Sequence, residues 1–345
     1  MKRVGILGRP GSGKTTLFEI LLQGAGASAA GRDQVGVVRV PDPRVDRLST
    51  LFQPKKTTHT QIQFVDSAAA GQGAPRAKGP DLFASVRNCE ALVAVVRDFE
   101  NAAVPIEGGM DPERDRRHLE DELVLNDLAI IETRVERIEK EIRVGRKEGE
   151  RERELLLRCR QRLEGEVPLR RETYSEEERR ILRGFQSLTL KPLIVVYNQD
   201  DRSTRTPQDP GPGALAVRLQ AHLEREIVSL PPEERPAYRR ELGIEEDGLT
   251  LLIRACYELL GLISFFTVGP DEVRAWTITR GETAVDAAGE IHTDLARGFI
   301  RAEVIPWTDL VELNGAAAAK AKGRLEGREY LVRDGDCVEI RFNRT

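Results

Sequence analysis

Hydrophobic and polar positions change period several times along the chain. Val4 to Leu7 is a short apolar run that stops at a Gly-rich turn, and Lys14 to Leu22 then reads as a helix. Gly24 to Gly31 is rich in Gly and Ala and reads as a loop, Val35 to Val40 as a strand, and Pro41-Asp42-Pro43 as a turn. Thr60 to Asp66 alternates and ends in an acid, and the small, Gly-rich stretch Ala68 to Pro80 follows as a loop. Leu92 to Val96 and Leu193 to Tyr197 are unbroken apolar runs, as expected of central parallel strands covered on both faces.

Between these runs the period becomes helical. Val124, Leu128, Ile131, Val135, Ile138 and Ile142 form a heptad seam, and Leu156, Cys159 and Leu163 resume it. An antiparallel helical hairpin with its tip near residues 143–154 is predicted, inserted into an α/β domain that resumes at Leu193. From about Ile263 the chain turns strand-rich, with Trp276, Phe299, Trp307 and Phe342 available for a small core and a Gly/Ala linker at Gly315 to Gly323.

Charge changes this picture in one place. The 345 residues carry a net charge of −4, so no global basic field draws the chain onto nucleic acid. Residues 113–183 are close to neutral, with 19 basic and 20 acidic side chains. At the tip, eight basic residues (Arg143, Arg146, Lys147, Arg151, Arg153, Arg158, Arg160 and Arg162) face four acids. A projecting basic tip is a candidate contact for RNA phosphates or an acidic surface. The cysteines, Cys89, Cys159, Cys256 and Cys337, have no metal-like spacing and read as reduced thiols. The first apolar run reads as a strand and not as a leader, and no stretch approaches a membrane span, so a cytoplasmic protein is expected.

The chemistry lies in Gly8-Arg9-Pro10-Gly11-Ser12-Gly13-Lys14-Thr15, which satisfies GxxxxGK[ST] between a strand and a helix. Glycines let backbone N–H groups converge on phosphate oxygens, and the helix N-terminus favours an anion. Gly8, Gly11, Ser12, Gly13, Lys14, Thr15 and Thr16 are the expected phosphate-binding residues. Lys14 is expected to reach the β- and γ-phosphates, and Thr15 and Asp66 to hold Mg²⁺. Asn198 and Asp201, at the carboxyl end of the Leu193 strand, are candidates for reading a purine edge. His292 is remote in sequence from the loop and is expected to pack or to hydrogen-bond locally.

The order of elements resembles the YchF-type NTPases, a branch of the Obg-like P-loop proteins. The matching segments are Gly36-Val37-Val38 with Pro41-Asp42-Pro43-Arg44, Val96-Arg97 with Phe99-Glu100-Asn101, and Leu188-Thr189-Leu190-Lys191-Pro192. Three more lie near the end: Val273 to Ile278, Gly289 to Asp294 and Gly298 to Ala302. The resemblance implies an α/β fold with three parts. These are a Ras-like P-loop NTPase domain (1–111 and 186–262), an inserted coiled-coil arm (112–185) and a C-terminal TGS-like β-grasp domain (263–345). It also implies ATP in preference to GTP, bound with Mg²⁺, and a link to the ribosome or RNA through the arm tip and the TGS-like domain. Against the family pattern, the segment between Lys14 and Gly36 is short and lacks the switch Thr. Ala69 replaces the Gly of the DxxG turn, and the stretch Ala102 to Glu107 holds no His. The base motif reads Asn198-x-x-Asp201 where the family has Asn-x-x-Glu, and Gln199 stands where guanine-specific proteins carry Lys. Nucleotide binding with very slow or absent hydrolysis is therefore expected.

Overall fold

A computed structural model describes residues 1–24, 35–67, 83–101, 104–105, 108–144, 149–244, 246–312 and 323–343. The loops expected at Gly24 to Gly31 and Ala68 to Pro80, and most of the Gly315 to Gly323 linker, lie outside them. In chain order the elements are β1 (Lys2–Gly8), α1 (Lys14–Gly24), β2 (Val35–Arg39), α2 (Pro43–Phe52), β3 (Lys56–Thr58), β4 (Gln61–Asp66) and β5 (Ala91–Asp98). Then come α3 (Pro112–Arg143), α4 (Glu150–Glu164), α5 (Glu176–Arg183), β6 (Leu193–Gln199), β7 (Ala214–Leu219), α6 (Ala221–Ser229), α7 (Arg235–Glu241) and α8 (Gly248–Leu259). The last are β8 (Leu262–Val268), β9 (Glu272–Thr279), α9 (Ala284–Ile291), α10 (Thr293–Arg297), β10 (Phe299–Pro306), α11 (Trp307–Glu312), β11 (Arg324–Glu326) and β12 (Asp336–Phe342).

Two compact units result. The larger comprises Lys2–Val37 and Gln63–Leu259. Its sheet runs β2-β4-β1-β5-β6-β7, and β1, β5, β6 and β7 pair in parallel. Every residue of β5 and β6 is buried, which is why both read as unbroken apolar runs. One face packs Leu7, Val96 and Val195 against Leu119 and Leu123 of α3.

Helix α3 starts at a cap written in the sequence. The Asp111 side chain accepts the Arg114 N–H, Pro112 fills the first turn, and Glu113 and Asp115 favour the positive helix end. Its 32 residues extend about 48 Å at 1.5 Å per residue. Val124, Ile131, Val135 and Ile138 close a dry seam with Leu155, Leu156, Cys159 and Leu163 of α4, as the heptad spacing predicts. The charge imbalance at the tip is smaller than the count over 143–162 suggests. Arg151 pairs with Glu177, Arg153 with Glu139, Arg158 with Glu172 and Glu178, Arg160 with Glu164, and Arg162 with Glu172. Those glutamates lie outside the counted window but fold back onto it. Among the described residues Arg143 has no such pair, and residues 145–148 lie outside the description.

The smaller unit comprises Met1, Val38–Ile62 and Leu260–Thr345. Residues 38–62, assigned from sequence to the N-terminal segment 1–111, thus cluster with the C-terminal part. The sheet order is β11-β10-β12-β8-β9-β3, in which β3 pairs with β9 in parallel. Helix α2 presses Val45 and Leu48 onto Phe266, Val273 and Ala275, while Ala284, Ala287 and Ala288 of α9 pack with Phe265 and Val304. The sequence reading took Pro41-Asp42-Pro43 as a turn. The same residues are a helix start, because the Asp42 carboxylate accepts the Arg44 N–H at 3.0 Å and Pro43 occupies the first turn. Phe342, expected in the core, is 36% exposed.

One buried carboxylate anchors the arm in the larger unit. Asp127 is fully buried on α3 and accepts the Leu188 N–H at 2.9 Å, the Thr189 N–H at 2.7 Å and the Thr189 hydroxyl at 2.6 Å. Replacing it with alanine strands these donors in a dry site. Asp127→Ala is expected to destabilise the fold by about 3 kcal/mol or more. Urea unfolding followed by circular dichroism measures this, and an unchanged midpoint would show that the anchor contributes nothing net.

Candidate functional site

The loop after β1 turns where β1, β4 and β5 end together. Gly11 and Gly13 take φ of 79° and 92°, which disfavour any side chain. A Cβ at Gly8 would press on the Val95 carbonyl, and one at Gly13 would collide with the Asn198 amide. Lys14 begins α1, yet its side chain is only 6% exposed. Its Nζ lies 3.0 Å from Asp66 Oδ1 and donates to the Ser67 carbonyl. Burial pushes the Asp66 carboxyl up, and Lys14 pulls it back. The Ser67 backbone N–H and hydroxyl both donate to the Ile6 carbonyl, at 3.1 and 2.9 Å, which ties the end of β4 to β1.

A cavity of about 690 Å³ opens beside this ion pair. Gly11, Gly13, Lys14, Thr15 and Thr16 line it together with Phe99, Asn198, Asp200, His222 and Arg225. The exposed Thr15 and the Asp66 carboxylate offer the hard oxygen donors that Mg²⁺ accepts beside phosphate and water. Gly8, Ser12 and Asp66 are not part of this wall, and Asp66 reaches the site through its ion pair with Lys14.

The two base-reading candidates fare differently. Asn198 lines the cavity but is nearly buried, and its side chain is a clamp. Nδ2 donates to the Ser12 carbonyl at 3.0 Å, and Oδ1 accepts the Ala221 N–H at 3.0 Å. One amide hydrogen remains for a ligand. Asp201 is exposed and absent from the cavity wall, where Asp200 stands instead. Asp200 accepts the N–H groups of Glu100, Arg202 and Ser203 at 3.0 to 3.2 Å, so it shapes the turn. The Gln199 amide donates to Asp98 and to the Arg205 carbonyl.

Sequence reasoning missed several residues on and around the wall. Arg97 is buried and donates to the carbonyls of Phe99, Asn101 and Val104 at 3.0, 3.3 and 2.7 Å, with its guanidinium 4.8 Å from the Phe99 ring centroid. It gathers this segment over the loop, and no short motif announces that role. His222 and Arg225 reach the wall from α6, one helical turn apart. His292 lies in the smaller unit, where its Nδ1 accepts the Asp294 N–H at 3.2 Å and caps α10. The four cysteines are buried and free, and burial pushes Cys89 up to about 11 and Cys256 up to about 12.

A parallel sheet with this loop after its first strand and a helical arm before β6 defines an Obg-like P-loop NTPase fold. Comparison with known proteins makes the assignment narrower. Residues 262–343 match the family model YchF-GTPase_C, described as a protein of unknown function (DUF933). The chain is 38% identical over 361 residues to the "Ribosome-binding ATPase YchF" of Bacillus subtilis (strain 168), covering 98% of each chain. It is 38% identical over 360 residues to the protein of the same name from Escherichia coli O157:H7, covering 99% of each. The YchF GTPase of Schizosaccharomyces pombe superposes with a TM-score of 0.86 at 28% identity, covering 99% of this chain and 97% of that one. A GTP binding protein from Pyrococcus horikoshii OT3 shares the fold, with a TM-score of 0.62 at 19% identity and coverage of 99% and 100%. The chain belongs to the YchF family, as the sequence resemblance implied.

The double role of the Asn198 amide has a measurable consequence. Asn198→Ala is expected to lower stability by about 2 kcal/mol without any nucleotide, since two backbone groups lose a partner. A thermal melt of the ligand-free protein should drop by several degrees. An unchanged melt would make Asn198 a residue for ligand alone.

Proposed function

We propose that this protein binds a purine nucleoside triphosphate with Mg²⁺ at the Gly8–Thr15 loop, prefers ATP to GTP, hydrolyses it very slowly, and works in the cytoplasm with the ribosome. The observation that carries this reading is the buried Lys14–Asp66 pair, whose lysine lines the 690 Å³ cavity. A buried ammonium beside a carboxylate and an exposed hydroxyl suits a phosphate–Mg²⁺ group, which would take over the partners each now has. Gly8, Gly11, Ser12, Gly13, Lys14, Thr15 and Thr16 would cradle the phosphates, and Thr15 and Asp66 would hold the metal. Asn198 would offer its remaining amide hydrogen to the purine. Asp201 lies away from the cavity wall, which weakens the guanine-reading option and supports ATP.

Slow turnover is argued from sequence. Ala69 stands at the turn position that normally offers an N–H to the γ-phosphate, and residues 102–107 supply no His. The ribosomal link rests on the names of the relatives from Bacillus subtilis and Escherichia coli. The arm tip and the TGS-like C-terminal part are the surfaces assigned to it. Among the described residues, no helix is long and apolar enough to cross a membrane.

Calorimetry tests the site. Wild type should bind ATP more tightly than GTP, and Lys14→Ala should lose most affinity for both while keeping its fold. Wild-type affinity in the variant would remove the phosphate reading, and a clear GTP preference would reverse the base assignment. Turnover without a partner should stay far below about 1 s⁻¹. A rate of that order would reveal a catalytic group elsewhere in the chain, whereas no hydrolysis at all would leave a nucleotide-binding scaffold.

The tip is tested by reversing charge at Arg143 and at the two basic residues that follow it in sequence. Arg143, Arg146 and Lys147 changed together to Glu should weaken ribosome co-sedimentation and flatten its salt dependence. Equal sedimentation with an unchanged salt slope would return the arm to the role of a spacer.

A further inference from the structure

Arg9 is the second residue of the phosphate loop and stands at the wall between two cavities. One is the cavity of Lys14 and Thr15. The other, of about 510 Å³, lies between the loop, the end of β5 and the first turns of α3. Arg9, Pro10 and Val104 line both. The Arg9 guanidinium donates to Asp115 Oδ1 at 3.0 Å, and among the described residues this is its one hydrogen-bond partner. The Arg9 side chain is 51% exposed, while Asp115 is 10% exposed and fixed on α3. Arg114 also approaches Asp115, at 3.6 Å, but it is pinned separately by the carbonyls of Gly108 and Gly109 at 3.1 and 2.8 Å.

These constraints are unequal. Asp115 and Arg114 cannot move without disturbing the root of the arm. Arg9 is held by a single, partly solvated ion pair, of a kind that contributes little. A terminal phosphate presents more charge and more acceptor oxygens than one carboxylate, and an arginine fork matches it well. A nucleotide seated at the neighbouring residues 11–15 brings its terminal phosphate within reach of a side chain as long as arginine. We propose that Arg9 is a further binding residue for the terminal phosphate, and that Asp115 is a positioning residue that holds Arg9 back from it. This rests on the nucleotide-binding reading above. The latch sits where the arm helix meets the phosphate loop, so the charge that restrains Arg9 belongs to the arm.

The readout is the affinity ratio of a non-hydrolysable β,γ-imido adenosine triphosphate over the diphosphate, by calorimetry with Mg²⁺. Asp115→Asn keeps the shape and removes the competing charge, and should raise the ratio about tenfold. Arg9→Ala should bring it below wild type, and the double variant should match Arg9→Ala alone. A ratio unmoved by Asp115→Asn, or a rise that persists without Arg9, overturns the latch. The two readings separate through Lys14→Ala. If that variant binds like wild type, the nucleotide reading has failed. If it loses binding while the Arg9 and Asp115 variants match wild type, only the latch has failed. Both substituted side chains lie at a cavity wall, and a thermal melt of each variant confirms that it is folded.

Discussion

A lysine ammonium removed from water must find a partner, and in this protein that partner is Asp66. Leaving either charge buried alone costs several kcal/mol. The pair therefore dictates that β1 and β4 end side by side, with Ser67 bonded back to Ile6. The loop between β1 and α1 has to turn sharply enough to bring Lys14 over that acid. The positive φ of Gly11 and Gly13 is what allows it. The same pairing keeps the ammonium in place before any phosphate arrives, so the site is preorganised.

The rest of the cavity is built from side chains that organise backbone. Asn198 joins the loop to the start of α6, Arg97 gathers Phe99, Asn101 and Val104, and Asp200 closes the turn after β6. In each case a polar side chain meets the need of backbone groups that would otherwise lack a partner. A residue can hold such a job and still present one remaining hydrogen to a ligand. Asn198, a base-reading candidate from sequence alone, is in three dimensions a clamp as well.

What was legible in the sequence follows from the range of the forces involved. The unbroken runs of β5 and β6, the glycine-bearing loop and the heptad seam are local patterns, and each appears where the pattern put it. That Lys14 and Asp66 belong to one site was legible only because the loop motif and a strand-ending acid are a known combination, and their direct ion pair was not legible. Pairings across long separations were not legible. The glutamates that neutralise the tip arginines come from α5, the ends of α3 and α4 and residue 172, so a count within one window misjudged the charge. Residues 38–62 join the C-terminal sheet through β3 and α2, which no local period reveals. Helix α2 was missed for a different reason: Asp-Pro serves equally as a turn and as a helix start, and only the apolar stripe of Val45 and Leu48 decides.

The arm helix brings these observations together. Its far end reaches about 48 Å from its root by helical rise. Along the way it is fixed by chemistry of graded strength. At the root, Glu113 accepts the Tyr197 hydroxyl at 2.6 Å, one residue before the Asn198 clamp, and Asp115 meets the phosphate loop through Arg9. Further along, buried Asp127 grips Leu188 and Thr189. Beyond that point the hairpin is held by its own apolar seam and by ion pairs between its glutamates and arginines. Asp127 is thus the fully buried polar contact of the helix, while the ion pairs of the hairpin and of Arg9 are partly exposed. At the root the Arg9–Asp115 contact joins a nearly buried carboxylate to a half-exposed guanidinium, which makes it the link between arm and phosphate loop that an anion can most readily exchange.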